Sequence, residues 1–445
     1  MKDISAAFSI TRQAGLNLKR PGIIRQRMNL ATWFYSRLNH FMLYKKGRLQ
    51  SVTALGIHHL PPAQQAAPIL AFSHKRGEDV PVIIDFLTGR PPARLHGATM
   101  IATAGVFNNT WLYGEVFPAS WKQGWRDRVS AQAARILGRW LKHIFQSAHC
   151  YPIYRAVDMP RQINRYESIR FGGRRVTGLD HETYLQMAAR ESRQSLMNVF
   201  QEMTTHNRNF VILPEGGYKY DGTIRPLQEF VAMASFRKKR PVQPIAFGYD
   251  ELCPDARGRI RVTLNIAAPM DSPAAKSDFS TFLTSLQSQL VYATPITASH
   301  LIGWCLSTWL PQTRLPEHIQ SATSQIWQGA SLPVRPLDFT DPDLKQATRF
   351  RRSTFDKFVY SLWQRLTKLV SMNVITDPAI QSVDGLKSRL DAFWKHKALQ
   401  YLDPIDTDIW QLNPQRALDF AASERTVNDL EWNRNHLLHL SQRLN

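Results

Sequence analysis

Apolar and polar positions change their period twice along this 445-residue chain. In the first part Met28, Leu30, Trp33, Phe34, Leu38, Phe41, Met42 and Leu43 recur at helical spacing among Arg25, Arg27, Arg37, Lys45 and Lys46. That pattern predicts an amphipathic helix, of the kind that packs on its own domain more often than it lies on an anionic membrane. From about 51 to 270, short apolar runs alternate with helical stretches. The runs predict strands at 69–72, 98–102, 151–154, 210–213, 242–247 and 260–266, and the stretches between predict helices at 80–87, 131–145, 184–203 and 227–238. Such alternation argues for an α/β fold with a mainly parallel sheet flanked by helices. Beyond about 275 strand signals fade, and helical spacing takes over at 355–369, 386–402 and 417–444. Asp341-Pro342, Asp377-Pro378, Asp403-Pro404 and Asn413-Pro414 punctuate this part as natural helix starts. The expected organisation is an N-terminal helical segment over 1–50, an α/β domain over 51–275 and a C-terminal helical region over 276–445.

Composition narrows the class. A hydrophobic content of 43%, with 22 Phe, 12 Trp and 13 Tyr, is that of a folded protein with a sizeable core. Cys150, Cys253 and Cys305 are widely spaced, which argues against a disulfide scaffold or a zinc site and suits a reducing compartment. No metal site is expected. The formal net charge of +21 predicts attraction to a polyanion, whether nucleic acid, an anionic membrane surface or an acidic carrier protein. Arg126, Arg128, Arg135, Arg139, Lys142, Arg155, Arg161, Arg165, Arg170, Arg174 and Arg175 crowd one middle region. The first 30 residues lack the compact apolar core of a secretory signal. Asp3 is the one acid among the first 50 residues, which leaves organelle targeting open. The uncharged stretches nearest to a membrane span, 95–114 and 279–313, are diluted by Thr, Ser, Asn, Gln and Gly and read as buried or interfacial elements.

Candidate chemistry gathers at the predicted strand ends. The run 69–72 stops at Ser73-His74, and Asp79 follows five residues on, at the start of the predicted helix and placed to act as its N-cap. A carboxylate there can hold one ring nitrogen of His74 while the other faces outward, which is a base with its orienting group. Among 14 histidines one such spacing is expected by chance, so its weight depends on what else the chain carries. Tyr151-Pro152-Ile153-Tyr154-Arg155 delivers an arginine where a strand runs out, and arginine suits forked recognition of phosphate or carboxylate. Leu213-Pro214-Glu215-Gly216-Gly217 ends another strand in a carboxylate and two glycines that let a ligand approach the backbone. In Val242-Gln243-Pro244-Ile245 a proline inside a strand marks an edge, a bulge or a special bend.

These four blocks, in this order, resemble those of the glycerolipid acyltransferase superfamily, which includes glycerol-3-phosphate and lysophosphatidic acid acyltransferases. The resemblance covers about residues 65–250. It implies that His74 is the general base on an acceptor hydroxyl and that Asp79 fixes its tautomer. It further implies that Arg155, Glu215, Gly216 and Gly217 line the acceptor site, and that Tyr151, Pro152, Pro244 and Ile245 shape the acyl pocket. The family continues its third block with an arginine where this chain has Tyr218, so Lys219 or Arg225 would supply the positive charge. The double glycine leans towards the glycerol-3-phosphate branch.

The resulting expectation is an O-acyltransferase that moves a fatty acyl group from an acyl thioester, acyl-CoA or acyl carrier protein, to a glycerol-phosphate-type or lysophospholipid hydroxyl. It needs no cofactor beyond that co-substrate. The expected setting is the cytoplasmic face of an anionic membrane, as a peripheral protein. One alternative is a catalytically inactive relative that binds lipid. A nucleic-acid-binding protein is the other, and no helix-turn-helix, zinc or ribonucleoprotein-type signature supports it.

Overall fold

The computed structural model describes residues 49–61, 65–76, 78–89, 97–103, 149–154, 168–171, 174–177, 181–216, 221–307, 349–369, 374–413 and 429–440, with a few isolated positions such as Asn39, His40, Leu43 and Tyr44. Most of the predicted N-terminal helix, most of the predicted helix at 131–145 and most of the basic middle region lie outside these residues, as do Arg155, Gly217, Tyr218 and Lys219. In chain order the elements are β1 (Leu49–Leu55), β2 (Ile69–Phe72), α1 (Asp79–Gly89), β3 (Ala98–Thr103), β4 (Cys150–Ile153), β5 (Ser168–Phe171), β6 (Arg174–Thr177), α2 (His181–Thr205), β7 (Asn209–Ile212), α3 (Phe230–Lys238), β8 (Val242–Asp250) and β9 (Ile260–Ile266). Then follow α4 (Phe279–Ala293), α5 (Ala298–Ser307), β10 (Arg349–Arg351), α6 (Arg352–Leu369), α7 (Val383–His396), β11 (Leu402–Pro404), β12 (Ile409–Leu412) and α8 (Asp429–Asn435).

The main sheet has seven strands in the order β1-β9-β8-β2-β7-β3-β4. All neighbours are parallel except β8 and β9, which are antiparallel. The fold is therefore the α/β architecture that the alternation predicts. β8, β2, β7, β3 and β4 run the same way, so the segments leaving β2, β7, β3 and β4 emerge along one edge of the sheet. Strand alternation sorts the core. Leu70 and Phe72 of β2 join Val82, Ile83 and Phe86 of α1 on one face. Ile69 and Ala71 join α2, α3 and α4 on the other, through Val199, Phe200, Val231 and Leu286. With both faces covered, β2 is buried along its whole length, which accounts for its unbroken apolar run.

β8 is a central strand, not an edge, and Pro244 sits inside it. Three steps along β8, from Val242 to Ile245, face four steps on the opposite segment, from Ile266 to Met270. The extra residue makes a bulge opposite Pro244, where a missing N–H costs no ladder bond, and the Pro244 carbonyl still accepts from Ala267 N at 2.9 Å.

The C-terminal part packs α5, α6, α7 and short strands around a core of its own that includes Trp304, Phe355, Trp363, Phe393 and Leu402. It is not wholly helical. β10, β12 and β11 form a three-stranded antiparallel sheet. Asp403-Pro404 lies within β11 instead of starting a helix, and α7 stops at His396. Strands of three or four residues carry too few positions to display a period of two. Asp377-Pro378 does open a helical turn, its carboxylate accepting from Ala379 N at 2.8 Å. Near the N-terminus Asn39, His40 and Tyr44 hydrogen-bond to Pro81 and Asp85 of α1, so the described residues of this segment rest on the α/β part. Among the described residues no helix is long and apolar enough to cross a membrane.

Candidate active site

The site forms where β2 runs out. Ser73 extends the strand by one residue, its N–H donating to the Ile245 carbonyl at 2.9 Å and its hydroxyl accepting from Phe247 N at 3.2 Å. His74 then turns away, and its Nδ1 lies 3.0 Å from Asp79 Oδ2. A carboxylate only accepts, so this contact assigns the proton to Nδ1 and leaves Nε2 as the basic nitrogen. Asp79 is fully buried as the first residue of α1. Its carboxylate does not cap that helix. Oδ2 turns back to accept from the N–H groups of Lys75 and of Arg76, the latter at 2.7 Å, while Oδ1 accepts from the Tyr249 hydroxyl. The loop closes around this carboxylate because the backbone N–H groups of 75 and 76 have no strand partner left once β2 ends.

Glu215 comes from the segment after β7 and is 6% exposed. Its Oε1 accepts from His74 N at 2.7 Å and its Oε2 from Arg225 N at 3.1 Å, so one side chain ties together the segments leaving β2 and β7. Burial raises its carboxyl above the ordinary range, against the opposing pull of Lys75 and of the two backbone donors. Lys75 is buried as well, and desolvation lowers its ammonium against the attraction of Glu215, Asp221 and Asp79. Its Nζ donates to the Gly222 carbonyl at 2.8 Å. Arg76 pairs with Glu251 at 3.2 Å. Burial works most strongly against that guanidinium, but Glu251, Glu78, Tyr249 and Asp79 together outweigh it and hold the group firmly charged. Burial, with Asp79 beside it, pushes the Tyr249 hydroxyl well up, so that it stays a donor.

Of the residues singled out from the sequence, His74, Asp79, Glu215 and Arg225 come together here. Arg225 lies 4.0 Å from Asp221, whose carboxylate also accepts from the Thr223 N–H and hydroxyl at 2.9 and 2.6 Å. Gly216 is exposed beside Glu215 with a φ of 70°, a conformation that favours glycine. Pro244 and Ile245 sit on β8 next to β2, with Ile245 in the core beneath the loop. Tyr151 and Pro152 do not reach the site. They lie on β4, the edge strand beyond β7 and β3, about 14 Å away at ordinary strand spacing. There the Tyr151 hydroxyl donates to Glu202 at 3.3 Å. Sequence reasoning gave no role to Lys75, Arg76 and Tyr249. A signal was present for the first two, since adjacent cations directly after a fully apolar strand must find partners or stay in water. Among the described residues no cluster of His, Cys, Asp and Glu is suited to a metal ion, and Cys150, Cys253 and Cys305 are buried and form no disulfide.

No family model and no curated protein matches the sequence. Among solved structures the chain is similar to the crystal structure of the 1-acyl-sn-glycerophosphate (LPA) acyltransferase PlsC from Thermotoga maritima, at 14% identity over 58% of this chain and 75% of that one, with a TM-score of 0.28. A likeness that distant supports no functional conclusion.

Proposed function

We propose that the chain is an O-acyltransferase that moves a fatty acyl group from an acyl thioester to a hydroxyl of a glycerol-phosphate-type or lysophospholipid acceptor. The observation that carries this reading is the buried contact between His74 Nδ1 and Asp79 at the end of a parallel strand. His74 Nε2 takes the proton of the acceptor hydroxyl as its oxygen attacks the thioester carbonyl. The tetrahedral intermediate then expels the thiolate, which recovers that proton from the imidazolium, so one ester and one thiol leave. Asp79 keeps the ring in the productive tautomer and favours the transient imidazolium. In this reading Glu215 and Lys75 hold the loop, and Glu215 is not a ligand for the acceptor. Arg225, with Arg155 and Lys219, is assigned to the acceptor phosphate. The net charge of +21 suits an anionic bilayer or an acidic carrier protein as the source of substrate.

The test is acyl transfer by the purified chain from acyl-CoA and from acyl carrier protein to a panel of glycerol-phosphate and lysophospholipid acceptors. His74→Ala is expected to lower kcat/KM by about 10³-fold with the fold retained. Full activity in that variant would remove His74 from the reaction. Tyr218 in place of the family's arginine favours a second reading, a lipid-binding relative without turnover. Turnover of any acceptor dismisses it.

A further inference from the structure

The His74 loop is braced from behind by the far end of the chain. Trp432 of α8 is fully buried. Its neighbours Leu430, Leu437 and Leu440 belong to the C-terminal core, but Trp432 joins the core under β2, β8 and α1. Its ring meets Tyr249 edge-on, with centroids 6.3 Å apart. The Arg76 guanidinium lies 5.0 Å from the Tyr249 ring and 5.6 Å from that of Trp432. Trp432 thus presses on two of the residues that reach Asp79, Tyr249 through its hydroxyl and Arg76 through its N–H.

A second line of contacts runs beside the first. Asn435 Nδ2 donates to the Asp221 carbonyl at 2.8 Å. The next residue, Gly222, has a φ of 82°, and a Cβ there would collide with the Trp432 carbonyl oxygen and crowd the His436 ring. The backbone of 221–222 is seated directly on α8, and the Gly222 carbonyl is the group that holds Lys75.

We propose that Trp432 and Asn435 are positioning residues of the His74 site. They act through Tyr249 and Arg76 on Asp79, and through Asp221 and Gly222 on Lys75. The C-terminal region is then part of the catalytic apparatus and not an appended unit. This inference rests on the acyltransferase reading for its kinetic test and on geometry alone for its spectroscopic one.

The experiment uses the full chain with Trp432→Ala, Trp432→Phe, Asn435→Ala and, as a control, Phe355→Leu, which loosens the C-terminal core away from the loop. Trp432→Ala is expected to lower kcat about tenfold with KM for both substrates changed less than about twofold. Trp432→Phe recovers most of that loss, and Phe355→Leu lowers Tm without lowering kcat. In parallel, NMR of ¹⁵N-histidine-labelled protein follows the His74 Nδ1–H signal, identified by its loss in His74→Asn. That signal moves or broadens in Trp432→Ala and Asn435→Ala and stays in place in Phe355→Leu. If Trp432→Ala fails to fold, Asn435→Ala carries both readouts. An unmoved signal together with wild-type kcat in the α8 variants, or an equal loss of kcat in Phe355→Leu, overturns the proposal. Absence of turnover in the wild type defeats the acyltransferase reading instead, and the NMR signal still decides the positioning role.

Discussion

The α/β part and the C-terminal part solve the same packing problem differently. The first buries both faces of one mainly parallel sheet and leaves its polar groups to collect where strands end. Among the described residues the second wraps helices and a small antiparallel sheet around an aromatic core in which Phe355, Phe393, Trp394 and Trp410 meet through tilted and edge-on ring contacts. Its polar contacts serve as joints. Arg389 of α7 pairs with Asp250 at the end of β8 at 2.7 Å, and Asp250 in turn accepts from the Ser299 hydroxyl at 2.7 Å. The difference teaches where to look for chemistry: a sheet that ends at one edge gathers loops, whereas a closed aromatic core has no such edge and exerts its effect through what it presses on.

Three substitutions separate these roles. The largest effect is expected from Asp79→Asn, which leaves the C-terminal core untouched. The amide is neutral and has one acceptor oxygen in place of two, so it cannot serve His74 and the backbone of Lys75 and Arg76 while also accepting from the Tyr249 hydroxyl, and it no longer favours the imidazolium. Loss of kcat on the order of 10³-fold, measured against unchanged far-ultraviolet circular dichroism, is the expected outcome.

Arg389→Met cuts the joint and spares the loop. It leaves the nearly fully buried Asp250 without its cation, a kind of loss that costs about 3–5 kcal/mol. Denaturant unfolding is expected to report that loss, while kcat per folded molecule stays within about twofold of wild type. A matching loss of kcat would mean that the two parts are coupled through α7 as well as α8.

The smallest effect concerns His300, which lies at the seam. Its ring stacks on His436 at 4.2 Å, and Lys75, His439 and Glu251 act on it. Burial, with Lys75 next, pushes the imidazole from 6.5 down to about 3. The unfolded chain therefore binds a proton in that window that the folded chain does not. Stability falls as the pH drops from about 6.5 towards about 3. His300→Gln should remove this contribution, so that between pH 7 and 5.5 it loses about 1 kcal/mol less than wild type. Thermal unfolding across that range checks it, and parallel curves for the two proteins would refute it.

The strands of the α/β part were legible from two patterns: burial on both faces forces an unbroken apolar run in 69–72, and 260–266 alternates apolar Ile260, Val262, Leu264 and Ile266 with polar Arg261, Thr263 and Asn265. β1 was not, since Leu49–Leu55 is a half-buried edge strand with a mixed pattern. The His74–Asp79 contact was legible because both residues sit in one loop, where spacing alone sets their separation. Tyr249 and Trp432 were not, because only the pairing of β8 with β2 and the docking of α8 bring them to that loop. Glu215 could be picked out as a strand-end carboxylate. What spacing did not reveal is that both of its oxygens are turned towards backbone N–H groups.

The contact between Asn435 and Asp221 spans 214 residues. A ribosome releases the chain from its first residue, so the loop that carries His74 emerges long before the helix that backs it. Until residues 432–436 are outside the exit tunnel, the apolar surface beneath Tyr249 has no cover and the loop no backing. The nascent chain therefore passes through a long interval in which its sheet is complete but its site is not. That interval leaves the apolar surface beneath Tyr249 open to aggregation.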